Sequence, residues 1–169
     1  VVYHFKNDKR FTEIILTGHS QGSLIAMMAL KNVDKYISIA GAGETIDKII
    51  IKQLSAQSAE FGKIAASHFK ELKETGEIKE VNPNLMSLFA KQNQPFWISW
   101  AALNPVEEIK KITIPTLIIN GHKDLQVKIT DAEALKEAKP EAELIIIKNM
   151  NHVLKDILKD EDNLKSYSS

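Results

Sequence analysis

Gly18-His19-Ser20-Gln21-Gly22 sets a serine between two glycines, each two positions away. The spacing suits a serine at the apex of a sharp strand-to-helix turn, where a strained backbone tolerates no bulk at the flanks. Glycine at both Gly18 and Gly22 is expected to remove that clash. Such a serine lies at a helix N-terminus, whose free N–H groups favour developing negative charge, and the N–H of Gln21 would be one oxyanion donor. The chemistry would be nucleophilic attack on a carbonyl carbon. Glycine and serine are common residues, so the five positions alone also fit an ordinary turn.

A serine becomes a useful nucleophile only when a base takes its proton and an acid holds that base in the right tautomer. Asp124 in "IINGHKDLQV" and His152 in "IIIKNMNHVLK" each follow a run fit for a buried strand. Singly, Asp124 reads as a solvated loop aspartate and His152 as a capping or surface histidine. Jointly with Ser20 they give serine, acid and histidine at successive strand ends, in the order that such a turn requires. The catalytic reading is therefore the stronger one.

The other histidines offer less. His122 shares the acid's loop, His68 falls on a helical stretch outside the sheet, and His4 lies near the start. His19 adjoins the serine and is expected to pack, shape the turn or face substrate rather than transfer a proton. With no cysteine and no H-E-x-x-H, no metal is expected. Gly41-Ala42-Gly43 lacks the third glycine of a dinucleotide loop and reads as a strand-ending turn, so no cofactor is expected.

To bring Ser20, Asp124 and His152 together, the chain must build a sheet. Phe11–Thr17, Tyr36–Ala40, Thr116–Asn120 and Leu144–Ile147 read as strands, and Ser23–Leu30 as a helix whose small residues allow close packing. From Glu44 to Leu103 helical spacing takes over. Asn104-Pro105 reads as the start of a short helix, Thr130 with Glu133 as a capping box, and Val153–Leu158 as helical. Strands alternating with helices argue for an α/β protein with a parallel sheet, and wholly apolar strands for burial on both faces.

The 169 residues, 44% hydrophobic, suffice for one domain with a real core. Lysine plus arginine balances aspartate plus glutamate at 22 each, so no net field attracts nucleic acid. No apolar run is long enough for a membrane span. The absence of cysteine leaves the compartment open, with the cytoplasm as default. An apolar first strand left at a sheet edge would invite pairing with a second copy, hence a homodimer.

"GHSQGSLIAM", "YISIAGAG", "IPTLIINGHKDLQV" and "NMNHVLK" together resemble segments of the α/β-hydrolase superfamily, in particular bacterial members near the serine aminopeptidase-like hydrolases. The resemblance implies Ser20 as nucleophile, Asp124 as orienting acid and His152 as base. It divides the chain into core (1–43), helical cap insertion (44–105) and core again (106–169). Met86, Phe96, Trp97 and Trp100, with His19, would then line an acyl pocket, although packing between cap and body accounts for the aromatic residues as well. Members of the superfamily carry several strands before the serine turn, and the loop after the third supplies a second oxyanion N–H. Those strands are not in this sequence, so the expected fold is a partial α/β-hydrolase fold, the carboxyl-terminal portion of a longer hydrolase. Lack of one such donor would cost about 2.7–4 kcal/mol of transition-state stabilisation.

The expected activity is hydrolysis of carboxylic esters, then amides or peptides, on a small-molecule ester or acyl substrate. The alternative is a non-catalytic fragment that binds a hydrophobic ligand or partner.

Overall fold

In the computed structural model the chain is described from residue 2 to residue 168. The elements run α1 (Val2–Lys6), β1 (Ile15–His19), α2 (Gln21–Met28), β2 (Lys35–Ile39), α3 (Ile46–Gln57), α4 (Ala59–Thr75), α5 (Met86–Phe89), α6 (Gln94–Ala101), α7 (Pro105–Lys110), β3 (Thr116–Gly121), α8 (Ile129–Ala138) and β4 (Glu143–Ile147). They form two compact units, residues 1–43 with 105–169, and residues 44–104.

The first unit is built on one sheet in the order β1-β2-β3-β4. Every pairing is parallel: Ile15 to His19 lie beside Lys35 to Ile39, Tyr36 to Ile39 beside Thr116 to Ile119, and Leu117 to Gly121 beside Glu143 to Ile147. Parallel neighbours cannot be joined by a tight turn, so α2 crosses from β1 to β2 and α8 from β3 to β4. Between β2 and β3 the chain departs to build the second unit and returns through α7, which Pro105 opens. The result is an α/β unit, a parallel sheet flanked by helices.

Burial alternates along the central strands. Tyr36, Ser38, Thr116, Ile118 and Asn120 are buried, while Ile37, Ile39, Leu117 and Ile119 between them are only half-buried. The buried set lies under α2, α7 and α8, which pack side by side with Leu24, Met27, Ile109 and Leu135 in the core. A fully buried Leu or Ile contributes about 1.5–3 kcal/mol. The expected burial on both faces therefore fails, most clearly at the edges, where Ile15 is 49% and Ile145 45% exposed. An apolar strand shows what a face can bury, and in this unit the described helices cover one face.

Three local expectations are also corrected. The first strand starts at Ile15, not Phe11, because the amide of Ile14 is already committed to the Asp34 carboxylate at 2.8 Å. α8 starts after Lys128 rather than at Thr130, and the carboxylate that reaches back to cap it is that of Asp131 rather than Glu133. The Asp131 carboxylate accepts from the N–H of Lys128 at 3.0 Å and of Gly43 at 2.9 Å. Val153–Leu158 is not helical but turns back in a single antiparallel bridge, Met150 to Asp156.

The second unit is all helical. Ser58 ends α3 and caps α4, its hydroxyl accepting from the N–H of Glu60, and Gly76 at φ 83° closes α4 in the left-handed region that glycine tolerates. The core joins Ile46, Phe69, Leu72, Phe89 and Trp97. Phe69 meets Phe89 and Trp97 edge-on, at 5.1 and 5.8 Å between ring centres, the arrangement that ring quadrupoles favour. No helix among the described residues is long and apolar enough to cross a membrane.

Candidate active site

β1 delivers Ser20 and α2 leaves from it. Ser20 has φ 55° and ψ −124°, a conformation rare for a residue with a Cβ. Its N–H donates to the carbonyl of Ile39 at 2.9 Å, which pins the turn to the end of β2, and its carbonyl accepts from Ser23 at 2.9 Å as α2 begins. Gly18 is required here, since a Cβ would lie 2.2 Å from the carbonyl oxygen of Gly22. Gly22 is not, because a Cβ there meets nothing within 4 Å among the described residues. The clash is one-sided: side-chain room is needed at Gly18, and Gly22 contributes only its backbone. As the first residue of α2, Gln21 has an N–H without an acceptor inside the helix, free to meet an oxyanion.

Beneath the turn lies a polar cluster that sequence reasoning missed. Tyr36 donates its hydroxyl proton to the Ser23 carbonyl at 2.9 Å, while the Ser23 hydroxyl lies 2.7 Å from Tyr36 Oη and 2.8 Å from Ser38 Oγ. All three residues are buried, and burial pushes the Tyr36 phenol pKa up, keeping it a neutral donor. The signal was present, because Tyr36 and Ser38 are two apart on a strand and so share a face.

β3 leads to Asp124. The backbone passes so close to the next loop that a Cβ on Gly121 would lie 2.0 Å from the carbonyl oxygen of Met150. Lys123 donates its N–H to that carbonyl at 3.0 Å. Asp124 then folds onto its own loop, Oδ1 accepting from the N–H groups of Gln126 at 2.8 Å and Val127 at 2.9 Å. This leaves Oδ2 for His152 Nδ1, at 2.9 Å, with Asp124 4% and His152 5% exposed.

Donor arithmetic fixes the tautomer. A carboxylate accepts only, so His152 Nδ1 carries a proton, and in the neutral form of the ring the lone pair is on Nε2. Nε2 lies 3.1 Å from Ser20 Oγ. The three residues singled out from sequence are thus within hydrogen-bond reach in the order serine, histidine, aspartate, and the arrangement can move a proton off the serine.

His19 packs instead of joining the relay. Its Nε2–H donates to the backbone carbonyl of His152 at 2.8 Å, with the rings 4.9 Å apart, so it braces the His152 loop from β1. His122 borders a cleft of about 520 Å³ with Lys123, Leu125 and Lys128. His68 belongs to the helical unit, where its Nε2 accepts from the N–H of Asn82 at 3.2 Å and burial lowers its pKa. Of the proposed pocket residues, Met86 and Phe96 are exposed, while Trp97 is in the helical unit's own core with Trp100 stacked on it at 5.7 Å. Among the described residues no group of three or more His, Cys, Asp or Glu could hold a metal ion.

Asn151 and Asn163 were also missed. The loop at 153–158 is not a helix because the side chain of Asn151 takes its amides, Oδ1 accepting from Val153 at 3.1 Å and Lys155 at 3.0 Å. Asn151 Nδ2 donates to Asn163 Oδ1 at 3.2 Å and to Ser166 Oγ at 2.7 Å.

No family model matches the sequence, and no curated protein does. Solved structures do. Est1E from Butyrivibrio proteoclasticus is similar with a TM-score of 0.56 at 18% identity, over 99% of this chain and 67% of that one. The meta-cleavage product hydrolase from Pseudomonas fluorescens IP01, as a mutant with acetates, gives 0.51 at 18% identity over 99% and 68%. A lipase-esterase related protein from Clostridium acetobutylicum ATCC 824 gives 0.50 at 18% identity over 99% and 73%. Two further structures are matched over only 58% and 65% of their length. At such identities the likeness is one of fold, and the fold that this chain shares with them is part of the α/β-hydrolase fold.

Proposed function

We propose that the protein is a serine hydrolase that cleaves carboxylic esters through an acyl-enzyme on Ser20, with amides and peptides as secondary substrates. One observation carries this reading: Ser20, on a strained turn at φ 55°, lies 3.1 Å from His152 Nε2, whose Nδ1 lies 2.9 Å from a buried carboxylate. The esterases and hydrolases of like fold support hydrolysis as the general class.

On this reading each step has a residue to carry it. As Ser20 Oγ attacks the ester carbonyl, His152 Nε2 takes its proton and the Asp124 carboxylate stabilises the resulting imidazolium. The carbonyl oxygen becomes an oxyanion at the N-terminus of α2, where the Gln21 N–H is directed. Collapse of the tetrahedral intermediate breaks the bond to the alcohol oxygen, which leaves with the proton from Nε2. Water, giving a proton to His152, attacks the acyl-serine, and the acid departs as Ser20 regains its hydrogen. No cofactor enters.

Incubation with a fluorophosphonate, followed by peptide mass mapping, tests this directly, alongside turnover of p-nitrophenyl acetate. The expected adduct is on Ser20 and disappears in Ser20→Ala. A protein that is neither labelled nor active would fall to the alternative, a module that binds a hydrophobic ligand without turnover.

A further inference from the structure

Asn163 lies eleven positions beyond His152 and touches neither the serine nor the imidazole, yet it joins the loops that carry acid and base. Its Oδ1 accepts from Asn151 Nδ2 at 3.2 Å, and its Nδ2 donates to the backbone carbonyl of Lys123 at 2.7 Å. Asn151 adjoins His152, and Lys123 adjoins Asp124. Asn163 is 5% and Asn151 0% exposed.

The orientation of both amides is determined from the two ends. Backbone N–H groups of Val153 and Lys155 can only donate, so the oxygen of Asn151 must face them and its NH₂ must face Asn163. The carbonyl of Lys123 can only accept, so Asn163 must turn its NH₂ to that side and its oxygen to Asn151. Each amide presents a donor and an acceptor in the one sense that satisfies both backbones. No carboxylate, hydroxyl or apolar side chain can replace either without leaving a buried polar group unpaired, and that is costly.

Other contacts from the same short segment fall on the same two loops. The N–H of Leu125 reaches Tyr167 Oη at 3.3 Å, Lys155 Nζ donates to the Ser166 carbonyl at 2.9 Å, and Lys123 pairs with Asp160. Two backbone bonds, His122 N–H to the Ile147 carbonyl at 2.9 Å and Lys123 N–H to the Met150 carbonyl at 3.0 Å, already join the loops where they leave the sheet. The link through Asn163 adds a tie between Lys123 and Asn151, the residues next to Asp124 and His152, and so bears most directly on the angle between those two side chains.

We infer that Asn163, acting through Asn151, is a positioning residue: it sets the angle between the loops so that Asp124 Oδ2 and His152 Nδ1 stay in line. This rests on the proposed hydrolase reading only for its effect on turnover, because the Asp124–His152 hydrogen bond is an observable in its own right.

The test compares Asn163→Asp, nearly identical in shape but unable to donate to Lys123, with Asn163→Ala and with Ile109→Val, a packing variant of the same unit. Two readouts are used. Per active site titrated with fluorophosphonate, both Asn163 variants are expected to lose about tenfold to a hundredfold in kcat with KM within twofold, since small misplacements at a proton-transfer site act on the transition state. In proton NMR, the downfield resonance of His152 Nδ1–H in its bond to Asp124 is expected to disappear or exchange rapidly in both, and to persist in Ile109→Val.

Wild-type kcat per titrated site and an unchanged Nδ1–H resonance in Asn163→Asp would overturn the inference. So would a kcat loss in Ile109→Val equal to that in Asn163→Asp at matched Tm, because the effect would then be stability alone. If the wild-type protein takes no label on Ser20, the hydrolase reading fails, and the NMR comparison decides the positioning role without it: loss of the resonance upholds it, retention refutes it.

Discussion

At the turn carrying Ser20 the restraints are local and steric: a glycine two positions back, a helix starting at the next residue, and one amide bond to the adjoining strand. The loop carrying His152 is held by side chains from much further along, Asn163 and Ser166, acting through Asn151. Both regions also contain a non-glycine residue at positive φ, Ser20 at 55° and Leu154 at 62°. In the first the conformation sets a hydroxyl 3.1 Å from His152 Nε2. In the second it falls on a leucine that is 50% exposed. One arrangement of side chains can thus be assembled by two kinds of physics, backbone sterics at Ser20 and amide hydrogen bonding at His152.

The largest effect expected is at the serine itself. Ser20→Ala should lower kcat on p-nitrophenyl acetate on the order of 10⁴-fold or more while leaving the melting curve nearly unchanged, because the turn is held by backbone. A large loss of Tm would show that the hydroxyl supports the turn, and would erase the contrast between the two regions. Asp124→Asn comes next and probes the polar side. Its oxygen would stay with Gln126 and Val127, so its NH₂ would face His152 Nδ1 and force the proton to Nε2. A ring protonated at Nε2 cannot take the serine's proton, and amidation of a triad aspartate costs about 10⁴-fold in kcat. A loss below tenfold at pH 7 would mean that Asp124 does not set the tautomer.

A matched pair of glycines sharpens the steric side. Gly18→Ala drives a Cβ into the backbone of Gly22 and should destabilise by about 2–4 kcal/mol, several degrees in Tm, with loss of turnover. Gly22→Ala should stay within about 0.5 kcal/mol and keep its activity. Equal effects at the two positions, by thermal melt and ester assay, would refute the one-sided clash.

The same division explains what the sequence could reveal. Ser20 and Gly18 were legible because steric demands act between neighbours and leave a spacing behind. Asp124 and His152 were legible because the apolar runs before them marked strand ends. Nothing local marks Asn163, whose meaning depends on two carbonyl and amide partners that only the fold assembles. Val153–Leu158 misled for a related reason: its apolar spacing suits a helix, but the side-chain oxygen of Asn151 captures the amides of Val153 and Lys155. Strand composition misled at Ile15 and Ile145, since it does not report which face the helices cover.

The smallest effect separates strain that serves the site from strain that does not. Leu154 is half-exposed at φ 62°, and the left-handed region costs a residue with a Cβ about 1–2 kcal/mol. Leu154→Gly removes that cost but gives back about 0.4–1 kcal/mol through the greater freedom of glycine in the unfolded chain. The net gain should be a few tenths to about 1 kcal/mol, a rise in Tm of about 1–4 °C. Turnover should not change, because the loop's shape is set by Asn151 and the Leu154 N–H keeps its 3.1 Å bond to the Asn151 carbonyl. If the glycine variant were instead slower at unchanged KM, the strain at Leu154 would be helping to aim His152, and the base loop would depend on backbone conformation as the nucleophile turn does.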